Sequence, residues 1–444
     1  MLALFVLTAA WAGEIATHAT SHRLDNGLLV VLSEDHRADQ VALHIRYGIG
    51  SGDEPDGLHG CAHLFEHLMF EGSKSVPNNK FDEWLTSGGG WNNAFTNTDQ
   101  TAYHMAFPSG ALDLALFLES DRLGFLDAGL DQANLTNQQG VVLQERYQGF
   151  DEPHGRDWEA INRLVFPAGH PYHVSTIGTV DDVNGFTVEG VREFWKKYYR
   201  SRNGALVLVG HFDSAVALER LKLWFADVPD AGPAPARFSA TPAQSTPQRG
   251  VIEDKVEDRT IYLAWPTVEL KHADMPALDL LSWVLSKGRG TRLDDALYYD
   301  KPLADSEGAW TFNGAAGGMF VVEATSVRTP LTKLEAAARK VIAGLITTPP
   351  TADELLRAKK ALRQYYEDQL QDPVSAAELL ADCAFEWGDP NCAAARVAAY
   401  EAVTPNDLVR VTQTWLLSRE PHRLSVVPQG DTGAIAGSSP VEIP

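Results

Sequence analysis

At 444 residues the chain exceeds what one ordinary hydrophobic core supports, so two or more domains are expected. Its 44% hydrophobic and 22% charged content is that of a globular protein rather than a disordered or fibrous one. A net charge of −22 leaves nothing concentrated and basic to meet phosphates, which excludes nucleic acid as a partner and argues against docking on an anionic membrane.

The chain opens on "MLALFVLTAAWA", apolar throughout and ending in the small-x-small pattern Ala10-Trp11-Ala12. This stretch is too short to span a bilayer as a helix. It reads as the apolar part of a signal peptide, with residues 1–20 as leader and tail and a periplasmic or secreted destination. "LLVVLSED" and "VALHIRYG" follow as strands.

"HGCAHLFEHLMFEG", residues 59–72, then places three histidines and two glutamates, Glu66 and Glu71, in an otherwise apolar run. Ala62, Phe65, Leu68 and Met69 recur at helical spacing. On that helix His63 and His67 stand one turn apart on one face, with Glu66 on the adjoining edge. Burying so many titratable groups costs several kcal/mol or more unless something compensates, and a divalent cation does so directly. Two imidazoles from one rigid element are half of a zinc site, which needs a third protein ligand and an open position. Glu145, the acidic residue closing the apolar helical pattern in "NQQGVVLQERYQGF" (137–150), is the best candidate. Cys61 falls on the apolar side of the first helix, and His59, His104 and His170 read as structural or supporting residues.

Farther on, "FTVEGVREFWKKYYRSRNGALVLVGHFD" (186–213) and "VTPNDLVRVTQTWLLSREPHRLSVVPQGD" (403–431) repeat one order: capped helix, turn, apolar strand. Thr187 and Thr404 stand in N-cap position, with Val191 and Leu408 in the same helical phase. So long a period indicates a duplicated domain rather than a solenoid. The Pro/Ala/Ser-rich stretch 229–250 separates the copies as a linker. We therefore expect an α+β fold of two duplicated domains, each a mainly antiparallel sheet with helices packed on one face. The domains run over 21–228, with the metal motif, and 251–432, without it, and 433–444 is a tail. Cys383 and Cys392 can pair in an oxidising compartment.

"HLFEH" has the H-x-x-E-H form of an inverzincin. With "HRLDNGLLVVL", "SGGGWNNAFTNTDQTAYHMAF", "VVLQERYQGFDEPHG" and "FPAGHPYHVSTIG" around it, the chain resembles the pitrilysin/insulinase family, nearest its processing-peptidase-like branch. The resemblance implies one zinc held by His63, His67 and Glu145, with Glu66 as general base. It also implies that Asn93 and Ala94, in "NNAFTN", lie on an edge strand that pairs with an extended peptide. Gln138 stands where the family often has a second glutamate, and it can hydrogen-bond the site without adding charge. In the second half Arg292, in "GRGTRL", matches an arginine that reaches the substrate or the developing oxyanion. The tyrosine of that pair aligns with Asp305, which cannot serve an oxyanion as a phenol does, unless Tyr298 or Tyr299 takes the role.

The resulting expectation is a zinc endopeptidase acting on extended or unfolded peptides in a two-domain chamber. It would be the zinc-bearing subunit of a dimer whose homologous partner supplies the Arg/Tyr pair. The alternative is a non-catalytic assembly or peptide-binding subunit that retains the fold.

Overall fold

A computed structural model describes residues 15–233, 235–238, 242–300 and 302–444. The apolar leader, residues 1–14 of the expected signal peptide, lies outside the described residues. Two six-stranded sheets organise the chain. The first contains β1 (Thr20–Arg23), β2 (Leu29–Glu34), β3 (Val41–Tyr47), β4 (Trp91–Thr96), β5 (Thr101–Phe107) and β6 (Gly204–Gly210), in the order β1-β2-β6-β3-β5-β4. The second contains β7 (Arg249–Asp254), β8 (Arg259–Thr267), β9 (Ser306–Gly314), β10 (Gly317–Ser326), β11 (His422–Pro428) and β12 (Ser439–Pro440), in the order β12-β7-β11-β8-β10-β9. Taking β2–β6 and β7–β11 in chain order, the two sheets have the same topology, as a duplication requires. In both, one parallel pair (β2 with β6, β7 with β11) is followed by antiparallel neighbours out to a free edge, β4 or β9.

The repeated helices begin as the hydroxyl positions foretell. Thr187 accepts from the Gly190 amide at 3.1 Å and Thr404 from the Asp407 amide at 3.3 Å. Val191 and Leu408 are both buried. The first helix runs straight over Val188–Tyr198, whereas the second, Pro405–Val411, widens into a π-helical turn over Thr412–Leu417.

Period-two alternation on β3 sends its residues to two different cores. Val41, Leu43, Ile45 and Tyr47 join Tyr103, Met105 and Phe107 of β5 beneath the helices of the first half. Ala42 faces the other way, against Ala376, Ala377, Leu380 and Ala381 of the helix Pro373–Asp382, which comes from the second half. The exchange is reciprocal: Ala160, Ile161 and Val165 of the helix Asp157–Val165 pack on Ile252, Ala264, Val321, Leu424 and Val426 of the second sheet. Each large aliphatic side chain buried this way is worth about 1.5–3 kcal/mol, so the halves are fastened by two borrowed helices. Arg46 adds a polar fastening, its guanidinium bonding Asp382 and Glu386 at 2.5 Å each. Cys383 and Cys392 are joined by a disulfide inside the second half.

Candidate metal centre

The helix Cys61–Leu68 lies on the first sheet beside β4, with Cys61, Ala62, Leu64, Phe65 and Leu68 buried. Its start is held by a side chain that has no place in any helical pattern. Glu54 is fully buried and accepts from the Gly60 amide at 2.8 Å and the Ala62 amide at 2.6 Å, satisfying donors that a helix N-terminus leaves free. Tyr103 anchors the middle of the helix, donating its hydroxyl to the Phe65 carbonyl at 2.8 Å. His63, Glu66 and His67 are left pointing away from the core, each only partly exposed.

A second helix, Gln132–Asp151, crosses this one and delivers Glu145. Its Oε2 lies 3.7 Å from His63 Nε2 and 3.5 Å from His67 Nε2. The imidazoles meet at nearly right angles with centroids 5.1 Å apart. Bonds of about 2.0–2.1 Å in tetrahedral geometry put neighbouring ligand atoms about 3.3 Å apart, so the cluster is already close to the spacing a zinc ion needs. Among the described residues, it is the one group of three such side chains whose ligand atoms converge, all within 4.8 Å. Burial, reinforced by the neighbouring His67 ring, pulls the His63 imidazole down to about 4. That keeps it neutral at pH 7, the form in which it donates a lone pair.

Glu66 sits at the rim of the cluster, its Oε2 3.9 Å from His63 Nε2. Burial raises its pKa above the ordinary carboxylate value, while Thr96 at the end of β4 opposes that rise. Glu145 is 43% exposed, so one side of the cluster opens to solvent. Gln138, one helical stretch before Glu145, donates to the carboxylate of Glu71, which follows the first helix. It thereby joins the two ligand-bearing segments.

Asn93 and Ala94 lie on β4, the free edge of the sheet, paired through β5 with His104 and Tyr103. The Asn93 carboxamide oxygen accepts from the Ala94 amide at 2.9 Å. The second-half candidates stand apart from the cluster. Arg292 gives its guanidinium to Glu354 at 2.7 and 3.0 Å and to the carbonyls of Thr348 and Pro349. Asp305 accepts from the Val327 amide at 2.8 Å. Tyr298 and Tyr299 are half exposed and packed on one another edge to face. Sequence reading overlooked Glu54, Glu71 and Thr96. Glu71 carried a signal, standing one turn beyond His67, but Glu54 lies in a turn where no periodicity singles it out.

Residues 29–164 match the family model described as insulinase (peptidase family M16), and residues 185–362 match the peptidase M16 inactive domain. The chain belongs to peptidase family M16. Within it, the chain is 28% identical to the zinc protease PqqE of Helicobacter pylori over 366 residues, 81% of this chain and 82% of that one. A crystal structure of a Helicobacter pylori protease superposes with a TM-score of 0.86 at 25% identity, covering 93% of this chain and all of that one. The periplasmic protease PqqL of Escherichia coli shares the fold, with a TM-score of 0.78 at 19% identity over 96% of this chain but 49% of its own length. This M16 chain thus corresponds to half of PqqL. No helix among its described residues is long and apolar enough to cross a membrane.

Proposed function

We propose that the protein is a zinc-dependent endopeptidase that cleaves extended peptides, with residues 21–228 as its catalytic domain and 251–432 as the duplicated partner domain. The observation that carries this reading is the convergence of His63, His67 and Glu145 with a fourth side chain, the carboxylate of Glu66, at the rim. Two imidazoles and a carboxylate with one open side suit a hydrolytic rather than a structural zinc, which is usually closed by cysteines. When bound, the ion would supply Lewis-acid polarisation of the scissile carbonyl and acidify the attacking water.

The side chains account for the rest. His63, His67 and Glu145 hold the ligand geometry, with Gln138 and Glu71 bracing the two helices that carry them. Glu66 takes a proton from the attacking water and returns it to the leaving amine, a task favoured by a carboxylate whose pKa is raised. Asn93 and Ala94 offer the free edge of β4 to the substrate backbone. Pairing through main-chain groups binds many sequences alike, provided they are extended.

We further propose that the working enzyme is a dimer with a homologous subunit, acting in the periplasm or outside the cell. Two observations support the dimer: the open side of the cluster, and the match of this chain to half of the longer PqqL. Arg292, engaged by Glu354 and by the carbonyls of Thr348 and Pro349, also favours a partner that supplies the oxyanion-binding pair. That engagement also favours a second reading, a peptide-binding subunit without turnover.

The test is metal content and cleavage of a quenched extended peptide by wild type, Glu66→Gln and Glu145→Gln. One zinc per chain, weakened in Glu145→Gln by a factor of about 10–100 or more and retained in Glu66→Gln, supports the centre. Cleavage by the isolated wild type refutes the need for a partner. Zinc without cleavage, alone or with a homologous subunit, decides for the second reading.

A further inference from the structure

Arg237 lies in the Pro/Ala/Ser-rich connector between the halves, yet its guanidinium is anchored in the first half. Nη2 donates to Asp53 Oδ2 at 3.2 Å, to Asp99 Oδ1 at 3.2 Å and to the Asp99 carbonyl at 2.9 Å. Phe238 packs edge-on against Tyr172, with centroids 6.1 Å apart. At Arg237 and Phe238 the connector is therefore held where a composition of this kind suggests a loose tether.

The two carboxylates that Arg237 bridges belong to the loop that leads into the cap of the ligand helix and the turn that leaves the edge strand β4. Asp53 ends the turn Ser51–Asp53, and the next residue is Glu54, which caps the ligand helix. Asp99 lies in the turn between β4 and β5, three residues beyond Thr96. The loops also bond directly, Ser51 N to Asn97 O at 3.0 Å and Gly52 N to Thr98 O at 2.9 Å. Asp99 in addition accepts from the Tyr172 hydroxyl at 2.8 Å and from the Ala315 amide at 3.0 Å. Ala315 lies in the turn between β9 and β10, so the tip of the substrate-edge hairpin touches the equivalent hairpin of the second half. Without the guanidinium, Asp53 and Asp99 would stand near each other as poorly solvated like charges. Such pairs are relieved by protonation, water entry or separation of the loops.

We propose that Arg237 is a positioning residue for peptide hydrolysis. By clamping the Asp53 loop to the Asp99 loop, it sets the ligand helix and Glu66 in register with the edge strand β4, and couples that register to the docking of the second half. This rests on the peptidase reading above. Lysine at this position would supply charge without the planar fork that spans two carboxylates.

The full-length chain is compared as wild type, Arg237→Ala and Arg237→Lys. Hydrogen exchange is measured without substrate or metal, and steady-state cleavage of a quenched extended peptide is measured with zinc. In Arg237→Ala, exchange is expected to rise about tenfold over residues 51–62 and 91–100, while β6 and β8 keep their protection. Misplacement of the reacting groups should lower kcat by roughly 10- to 100-fold, more than KM rises, and Arg237→Lys should recover part of both effects. Unchanged exchange in the two segments, a uniform rise through both sheets, or an unaltered kcat would each overturn the proposal. If Arg237→Ala does not accumulate as folded protein, Arg237→Lys carries the same comparison. A wild type that cleaves nothing, either alone or with a homologous subunit, defeats the peptidase reading separately, because the exchange measurement still reports whether Arg237 clamps the loops.

Discussion

The two halves solve one burial problem in opposite ways. In each, a helix follows the central strand and packs beside the free edge strand: Cys61–Leu68 beside β4, and Met275–Ser286 beside β9. Both helices direct titratable groups toward that edge. In the second half the group is Asp279, whose carboxylate accepts from Thr311 at 2.5 Å, Asn313 at 3.1 Å and Tyr400 at 2.7 Å. Burial raises its pKa and those three donors work against the rise. Neutral hydroxyls and an amide complete the site within the protein itself. In the first half the neighbours are two imidazoles and a second carboxylate, whose ligand atoms converge within 4.8 Å, and His63 Nδ1 is buried with no protein partner. On the peptidase reading proposed above, a duplicated scaffold becomes reactive or inert according to whether the groups around its carboxylates satisfy one another.

The largest expected effect sharpens this comparison. Glu66→Gln should lower kcat by roughly 10²–10⁴-fold in the metal-loaded enzyme, while Asp279→Asn leaves cleavage within experimental error. Equal losses in both variants would mean that the second-half carboxylate takes part in turnover. Next in size is Glu54→Ala, which strips the ligand helix of its buried cap. A destabilisation of about 1–3 kcal/mol is expected in urea unfolding, together with weaker zinc binding by the folded variant.

Arg292 separates a structural from a substrate role by pH. The bonded guanidinium holds the Glu354 carboxylate down at about 2. A depressed carboxylate stabilises the fold above its unfolded value of about 4.3, and that contribution is lost as pH falls from there through the folded value. Wild type should therefore lose Tm between about pH 4.3 and 2, and Arg292→Ala should start with a lower Tm at pH 7 and lose less of it over that window. A variant with unchanged Tm and impaired cleavage would instead place Arg292 at the substrate. The smallest effect belongs to Asp279→Asn in stability, about 1 kcal/mol or less, because the amide oxygen keeps part of the carboxylate's hydrogen bonding.

The sequence by itself determined many of the elements and named the four side chains of the candidate cluster. Helical spacing placed His63, Glu66 and His67 on one helix, short β-rich runs marked β2 and β3 as strands, and the threonines at 187 and 404 announced the duplication. These are local signals, carried by residues within a few turns of one another. That the Glu145 carboxylate meets the two imidazoles was decided by a helix crossing, which no spacing encodes. The same holds for Glu54 as a cap, for Arg292 bound to Glu354, and for a connector that fastens rather than tethers through Arg237. All of them are contacts between segments far apart along the chain. They depend on how two sheets trade helices across their faces, and only the packed tertiary structure settles which polar groups end up within hydrogen-bonding distance.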